Sequence, residues 1–242
     1  MLRLSKPDIV AELQKKILCM QGQNFSKNNA LNLALGPMKE SFPNASFPLG
    51  TVHEFLSERK EQHASTSGFI AGLLSLIMSD SGAAIWISRS RTLFPPALKH
   101  FGIEPERFIF LDVKNEKDVV WAMEESLKCN ALAAVVGEIR QIDFTATRRL
   151  QLAVEQSKAT GFVIRNDTAQ INASAFVSRW KISPLQSEAE DFPGIGFPKW
   201  KVELLRMRNG KSNSWNLIWA DGRFMHLHSS LTEKQVPILQ AV

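Results

Sequence analysis

Apolar and polar residues alternate through the middle of the chain at the spacings of strands and helices. Residues 50–56 predict a first strand. Residues 65–78 predict a helix so apolar that it must lie against a sheet. Further strands are predicted at 85–88, 108–111 and 131–138, with helices between them. This alternation across residues 47–139 predicts an α/β core with a mainly parallel sheet flanked by helices.

The connection between the first strand and the first helix bears on nucleotide binding. A phosphate-binding loop requires glycines for close backbone approach, a Lys for the terminal phosphates and a Ser or Thr for Mg²⁺. Residues 57–64 read Ser-Glu-Arg-Lys-Glu-Gln-His-Ala, without a glycine. The carboxylates of Glu58 and Glu61 would also repel a triphosphate. The phosphate loop is therefore predicted to be lost.

Two further segments flank the predicted core. Residues 5–18 carry an apolar stripe at helical spacing, and residues 22–48 are polar or Pro-rich, which favours a partly mobile connecting arm. After residue 170 the pattern changes to short strands, which should continue the sheet in antiparallel fashion with type I′ turns at Asn209-Gly210 and Asp221-Gly222. The predicted organisation is a helix and arm at 1–46, a core at 47–170 and a strand extension at 171–242 on the same sheet.

Composition adds modest constraints. The chain has 242 residues, of which 44% are hydrophobic and 22% charged, as in ordinary globular proteins. A net charge of +5 permits an acidic or nucleic-acid partner without requiring one. Cys19 and Cys129 are isolated, so neither a disulfide framework nor a zinc ribbon is predicted. The longest apolar run, at 69–78, is about half of the ~20 residues that a membrane span needs, and no signal peptide precedes it. We expect a cytoplasmic protein that makes no membrane contact.

Two exposed positions are candidates for partner binding. The predicted helix at 145–157 places Arg148, Leu152 and Glu155 opposite its apolar face, where they form a basic and apolar surface. A solvated face without partners is the alternative interpretation. Trp121 points away from the apolar face of the preceding helix, so it is either an interface anchor or covered by the N-terminal arm. Arg149 is expected to brace the loop near Glu138 or Asp143.

The C-terminal part carries most of the excess charge. Residues 199–242 contain seven basic and three acidic side chains. Arg206, Arg208 and Lys211 lie around the Asn209-Gly210 turn and are candidates for weak binding of single-stranded DNA. Three tryptophans in the same region favour base stacking or, alternatively, form the core of the hairpin sheet: Trp200, Trp215 and Trp219. His226 and His228 lack a third ligand, so no metal site is predicted.

Parts of the core resemble the ATPase core of RecA. The resemblance covers Ile85-Trp-Ile-Ser-Arg-Ser-Arg-Thr-Leu, the segment from Leu98 to Ile103, and the strand Ala131-Leu-Ala-Ala-Val-Val-Gly-Glu138. It places Ser90 at the position of the catalytic glutamate and Gly137 at that of the Mg²⁺-organising aspartate, with His63 near the loop lysine. These replacements imply a degenerate nucleotide site that cannot position a phosphoryl group. A rerouted ATPase site that uses Glu138 is the alternative.

A longer set of motifs resembles the ImuA-type error-prone repair proteins. They are Val135-Val-Gly-Glu138, Thr145-Ala-Thr-Arg-Arg-Leu-Gln-Leu-Ala153 and Gly161-Phe-Val-Ile-Arg165, within a match from about residue 47 to residue 219. The resemblance implies a RecA-like accessory protein of damage-induced mutagenesis that needs no cofactor. Its implied partners are an ImuB-type polymerase homologue and an error-prone C-family polymerase, with RecA and weakly held single-stranded DNA as further candidates. A homo-oligomer is compatible with the sequence.

One rival function shares this fold class. A cell-division inhibitor of the SulA type would have a nucleotide-less RecA-like fold and bind the division GTPase FtsZ. The long basic C-terminal part and the Arg148-Arg149 motif favour the mutagenesis role instead.

Overall fold

A computed structural model describes residues 28–78, 82–166, 172–186 and 197–227, with side chains from residue 31 onward. The predicted helix at 5–18, Cys19, the acidic segment at 187–196 and His228 lie outside the described residues. None of the helices within these ranges has the length and apolar content that a membrane crossing requires.

The predicted parallel core is confirmed. Its strands are β1 (Val52–Leu56), β2 (Ala83–Ser88), β3 (Phe108–Asp112), β4 (Leu132–Ile139) and β5 (Thr160–Arg165). They pair in parallel in the order β3-β2-β4-β5-β1. Crossover connections between parallel strands bring all five carboxyl ends to one edge of the sheet, where α/β proteins usually bind ligands.

The C-terminal strands extend the same sheet. They are β6 (Ser178–Pro184), β7 (Lys199–Met207), β8 (Asn213–Ala220) and β9 (Arg223–His226). β6 runs parallel to β1, with His53 opposite Ser178, so the prediction of a wholly antiparallel extension is wrong for this first strand. From β7 onward the pairing is antiparallel as predicted. Within the described ranges the result is one nine-stranded sheet, in which β3 and β9 are the outermost strands.

Among the described residues, four α-helices pack on the two faces of this sheet. They are α1 (Asn28–Ala34), α2 (Lys60–Ile77), α3 (Glu116–Leu127) and α4 (Phe144–Ser157). The side of α1 and α2 contains one apolar core, and the side of α3 and α4 contains another. The predicted helix before Gly102 is a 3₁₀ helix, Pro95–Phe101, which Gly102 ends at a φ of 74°.

Only one of the two predicted type I′ turns forms. Asp221 and Gly222 have φ values of 51° and 69° and join β8 to β9 directly, as that turn requires. Asn209 has a φ of 59°, but Gly210 does not share a positive φ, and residues 208–212 separate β7 from β8. The prediction for Asn209-Gly210 is therefore wrong.

The tryptophans of the hairpin strands point into the core. Trp200, Trp215 and Trp219 are all buried, which excludes them as stacking platforms for DNA bases and confirms their alternative role as core residues. Gly72 in α2 makes room for this aromatic layer, because a Cβ there would lie 2.8 Å from the Phe224 ring.

The N-terminal arm is part of the core over its described length. Leu35, Met38 and Phe42 are buried in the same cluster as Trp180 and Phe224, and the Lys211 N–H donates to the Ser41 carbonyl at 3.0 Å. Residues 31–48 are therefore packed on the core, and their partial mobility stays a prediction. Asn32 helps to fix the arm, since its Oδ1 accepts from the Phe47 N–H at 3.1 Å.

Candidate functional site

The predicted eight-residue connection after β1 is much shorter in the structure. The helix α2 begins at Lys60, so only Ser57, Glu58 and Arg59 connect it to β1. The Gln62 side chain accepts from the Glu58 N–H at 2.9 Å, and the Ser57 N–H donates to the Arg165 carbonyl at 2.9 Å. The N–H groups of Ser57 and Glu58 are thus bonded within the protein and are not available to a phosphate.

His63 connects three segments at the carboxyl edge of the sheet. Its Nδ1 lies 3.0 Å from Asn166 Oδ1, and its Nε2 lies 3.2 Å from Thr92 Oγ1 and 3.5 Å from Glu138 Oε2. Burial lowers the pKa of His63, but the hydrogen bond and negative charge of Glu138, together with Asn166, raise that pKa above its ordinary value overall. The imidazolium form is favoured because both ring nitrogens face acceptor oxygens.

Glu138 is held on its other side by the core. The Trp86 Nε1–H donates to Glu138 Oε1 at 2.7 Å, and both side chains are buried. The carboxylate therefore accepts from an indole on one oxygen and faces an imidazole with the other. Within the described ranges, no group of three or more His, Cys, Asp or Glu side chains is arranged to hold a metal ion.

These side chains form the polar end of a large pocket. The pocket has a volume of about 980 Å³, and Arg59, Lys60 and Ser90 join His63 and Glu138 at that end. Its other walls are largely apolar and include Leu93, Phe94, Leu98, Phe101 and Trp200. The pocket lies at the carboxyl edge of the parallel strands, where α/β proteins usually bind ligands.

Gly137, which was also predicted to belong to the degenerate nucleotide site, does not line this pocket. Gly137 faces α3 on the opposite side of the sheet, where an added Cβ would lie 2.6 Å from Met123 Sδ. Its placement in the degenerate nucleotide site is therefore wrong. Neighbouring residues of a strand point to opposite faces, so Glu138 is the residue of this pair that faces the pocket.

The outer surface of α3 and α4 carries the predicted partner-binding residues. Trp121 is 63% exposed and Leu152 is 57% exposed, and Arg148 and Glu155 are exposed beside Leu152. The described part of the arm packs on the other side of the sheet and does not cover Trp121.

Arg149 joins these two helices. It forms an ion pair with Glu124 of α3, so the prediction that Arg149 braces the loop near Glu138 or Asp143 is wrong. Asp143 instead caps α4, accepting from the Ala146 N–H at 2.7 Å. The Glu124–Arg149 pair links the helix of Trp121 to the helix of Leu152.

The three predicted DNA-binding cations differ in their surroundings. Arg206 is half-buried and its Nη2 donates to the Ser174 and Phe176 carbonyls at 3.2 and 2.8 Å. Burial and the nearby Arg179 and Arg208 lower the pKa of Arg206, although Glu54 opposes this shift. Arg208 is exposed while donating to the Ala175 carbonyl at 2.8 Å, and Lys211 is exposed in the connection after β7.

A buried charge cluster was missed by sequence reasoning. Glu54 in β1 is fully buried and accepts from Arg165 Nη1 at 3.1 Å, Arg179 Nε at 2.6 Å and Ser174 Oγ at 3.1 Å. The cluster joins three neighbouring strands, β5, β1 and β6. The available signal was the Glu of β1, which lies between His53 and the apolar pair Phe55 and Leu56, since buried carboxylates are usually paired.

Comparison with known proteins reveals sequence relatives. The chain is 33% identical to Protein ImuA of Caulobacter vibrioides, in each of two strains, over 189 residues that make up 73% of this chain and 78% of the relative. No family model matches the chain.

Two solved structures are similar in fold. A KaiC-like protein from Pyrococcus horikoshii OT3 superimposes with a TM-score of 0.52 at 10% identity, covering 81% of this chain and 97% of the other. SulA from Pseudomonas aeruginosa gives a TM-score of 0.42 at 19% identity, over 49% of this chain and 99% of that one. The first match agrees with the RecA-like fold class predicted from the sequence.

Proposed function

Because the chain belongs to the ImuA family, we propose that it is a non-hydrolytic accessory protein of damage-induced mutagenesis. In this role it binds the proteins of translesion DNA synthesis in the cytoplasm. The observation that carries the proposal is the His63–Glu138 pair in the pocket at the carboxyl edge of the parallel strands. The domain is then a scaffold that presents surfaces to its partners.

The loss of hydrolysis follows from what phosphoryl transfer requires. The reaction needs a metal ion, a cationic clamp on the phosphates and a group that positions the nucleophile. His63 stands near the position of the clamp but faces Glu138, and Ser90 stands at the position of the base. The three-residue connection before α2 offers no glycine-rich loop.

Partner binding is supported by the outer surface of α3 and α4. An exposed Trp, an exposed Leu and an exposed Arg are the residue types that anchor protein interfaces. Trp121 and Leu152 stay exposed although the helices that carry them are firmly packed on the sheet. The partners that the family implies are an ImuB-type polymerase homologue, an error-prone C-family polymerase and RecA. Arg208 and Lys211 would add weak contact with single-stranded DNA.

The proposal is tested by complementation in cells that lack this chain. We expect damage-induced mutation frequency to be restored by the wild-type chain and by Glu138→Gln, which keeps the acceptor for Trp86 but removes the carboxylate. The variant Arg148→Glu with Leu152→Asp should not restore it. Failure of Glu138→Gln, despite normal folding and protein level, would instead support an ATPase with a rerouted site.

A further inference from the structure

The pocket beside His63 has an apolar part that phosphate chemistry does not explain. One side of it is formed by small residues that recur on α2 at helical spacing: Ala64, Gly68 and Ala71. The lack of a side chain at Gly68 lets two aromatic rings lie against α2, because a Cβ there would lie 3.3 Å from the Trp200 ring and 3.5 Å from the Phe101 ring. The result is an apolar groove between α2 and the 3₁₀ helix Pro95–Phe101.

Two phenylalanines beside this groove stay exposed. Phe94 lines the pocket but is 68% exposed, and Phe197, which precedes the pocket residue Pro198, is 50% exposed. Exposed aromatic side chains next to a pocket are typical of protein interfaces. A small molecule inside the pocket would leave both rings in water, whereas a protein segment that lies across the pocket covers them. The exposed rings therefore favour a protein segment as the occupant.

The polar end of the pocket carries two cations without ionic partners. Arg59 and Lys60 line the pocket and are exposed, and neither forms an ion pair with another described residue. They lie at the N-terminus of α2, an 18-residue helix that no side chain caps, and the dipole of this helix also favours negative charge. This end of the pocket is therefore suited to an anionic group.

The carboxylates near these cations do not neutralise them. The two that line the pocket already face other cations at 3.2 and 3.5 Å, in the pairs Glu58–Lys181 and Glu138–His63. Glu61 lies in the first turn of α2 but does not line the pocket. A carboxylate suits the site better than a phosphate, because the guanidinium of Arg59 can bind it without the backbone N–H groups that a phosphate cradle needs.

We propose that this pocket binds a segment of a partner protein in which acidic residues adjoin large apolar side chains. The acidic residues pair with Arg59 and Lys60, and the apolar side chains enter the groove and cover Phe94. The inference rests on the proposed scaffold role and adds to it a second partner-binding site. This site lies on the face of the sheet opposite α3 and α4.

Fluorescence anisotropy of a dye-labelled peptide, Gly-Asp-Asp-Phe-Leu-Gly, tests the proposal with the purified full chain. We expect the wild type to bind this peptide saturably. The peptides Gly-Lys-Lys-Phe-Leu-Gly and Gly-Asp-Asp-Ser-Ser-Gly should bind at least about tenfold more weakly, because each lacks either the acidic or the apolar part. No binding of the first peptide at about 300 μM protein, or equal binding of all three, would overturn the proposal.

Two variants test whether the peptide occupies this pocket. Arg59→Glu with Lys60→Glu reverses both cations, and Ala64→Trp fills the groove from an exposed position on α2. Each should weaken peptide binding by at least about tenfold while the melting temperature stays within a few degrees. Lys114→Glu with Lys117→Glu makes the same change in net charge at exposed positions outside the pocket and should bind like the wild type. Undiminished binding by either folded pocket variant would overturn the proposal.

Competition distinguishes the peptide from other occupants. Neither ATP with Mg²⁺ nor dodecanoate should displace the labelled peptide as effectively as the unlabelled peptide does. Displacement by either compound at a lower concentration than the unlabelled peptide would assign the pocket to a free small molecule and overturn the proposal. The variant Arg148→Glu with Leu152→Asp should bind the peptide like the wild type. Failure of this inference is therefore read from the pocket variants, and failure of the proposed function is read from complementation and from α4.

Discussion

His63 Nε2 lies 3.5 Å from Glu138 Oε2, and this pair ties the first turn of α2 to the end of β4. In a RecA-like ATPase, bound phosphate and metal would bridge the same two elements. Here the imidazole and the carboxylate bridge them directly, so the carboxyl edge of the sheet can be stable without a ligand. The pair is sensitive to pH because the imidazole must be protonated for the ionic attraction.

Replacing His63 should change the pH dependence of stability in one direction. The pKa of His63 is raised in the folded state, so its stabilising contribution is complete below the unfolded value of about 6.5. That contribution is lost as pH rises through the folded pKa. The free energy of unfolding of wild type should exceed that of His63→Gln by an amount that shrinks as pH rises above about 6.5, measured by urea denaturation. The exposed His100→Gln serves as the control, and a pH-independent difference for His63→Gln would contradict the prediction.

His53 should have the opposite effect. Burial lowers its pKa to about 4, although a hydrogen bond to the Pro48 carbonyl opposes the shift. Its Nδ1 also lies 2.7 Å from Ser178 Oγ. The unfolded chain therefore binds this proton first, and stability is lost as pH falls from about 6.5 toward 4, by about 3 kcal/mol in all.

Urea denaturation of His53→Gln checks that contribution. The variant should be less stable than wild type at pH 7, because the imidazole packs between Phe47 and Phe162. The difference should narrow toward pH 4, since glutamine does not titrate. Two parallel curves would mean that His53 does not control acid stability.

The sequence predicted much of the fold because its information is local. Strands β1 to β5, the exposure of Leu152 and the Asp221-Gly222 turn all follow from spacing and residue type. The start of α2 was missed because residues 60–64 were compared with a phosphate loop, although Lys, Glu, Gln and Ala favour a helix. Strand alternation alone predicts that Gly137 and Glu138 face opposite sides of the sheet. The structure agrees, because Gly137 lies against Met123 and Glu138 faces the pocket.

Long-range contacts in the site were beyond local reasoning. Glu54 and Arg179 are 125 residues apart, and their pairing depends on β6 lying parallel to β1. The Glu124–Arg149 pair likewise depends on how α3 and α4 pack side by side. Such contacts follow from topology, which periodicity does not specify.

Nucleotide binding should be weak. Isothermal titration with ATP and Mg²⁺ is expected to give no dissociation constant tighter than about 10 μM, which corresponds to roughly 7 kcal/mol. The Ser57 and Glu58 N–H groups are bonded internally, and Glu138 already faces His63. If ATP binds tightly and Glu138→Gln abolishes that binding, the result would support an ATPase with a rerouted site.

Binding of single-stranded DNA should depend on two of the three C-terminal cations. Arg208→Glu with Lys211→Glu should weaken binding across sequences and reduce its salt slope by about one for each phosphate that is no longer neutralised. Arg206→Glu should instead destabilise the fold, because it would place a carboxylate beside the Ser174 and Phe176 carbonyls. Filter binding at several salt concentrations, with thermal melting alongside, separates the two effects. If the double variant binds single-stranded DNA with unchanged affinity and salt slope, Arg208 and Lys211 do not contact DNA and are only solvated.

The surface of α4 offers the sharpest test of partner binding. Arg148 and Leu152 lie one turn apart and are exposed, while Leu150 and Val154 hold the helix on the sheet. The variant Arg148→Glu with Leu152→Asp should therefore keep its melting temperature within a few degrees. Its association with the polymerase homologue or RecA should weaken by at least about tenfold, because the variant removes both the cation and the apolar side chain.

A matched double variant on another surface controls for the change itself. Lys201→Glu with Leu205→Asp makes the same kinds of substitution on β7, on the face of the sheet opposite Trp200 and Val202, where Leu205 is 43% exposed. Pull-down of purified partners by each folded variant should show weaker recovery only for the α4 pair. If the α4 variant recovers as much partner as wild type does, α4 has only a structural role and does not bind the partner. Pull-down with Trp121→Ala would then test whether α3 forms the interface, because the Trp121 indole is exposed on a different helix from Leu152.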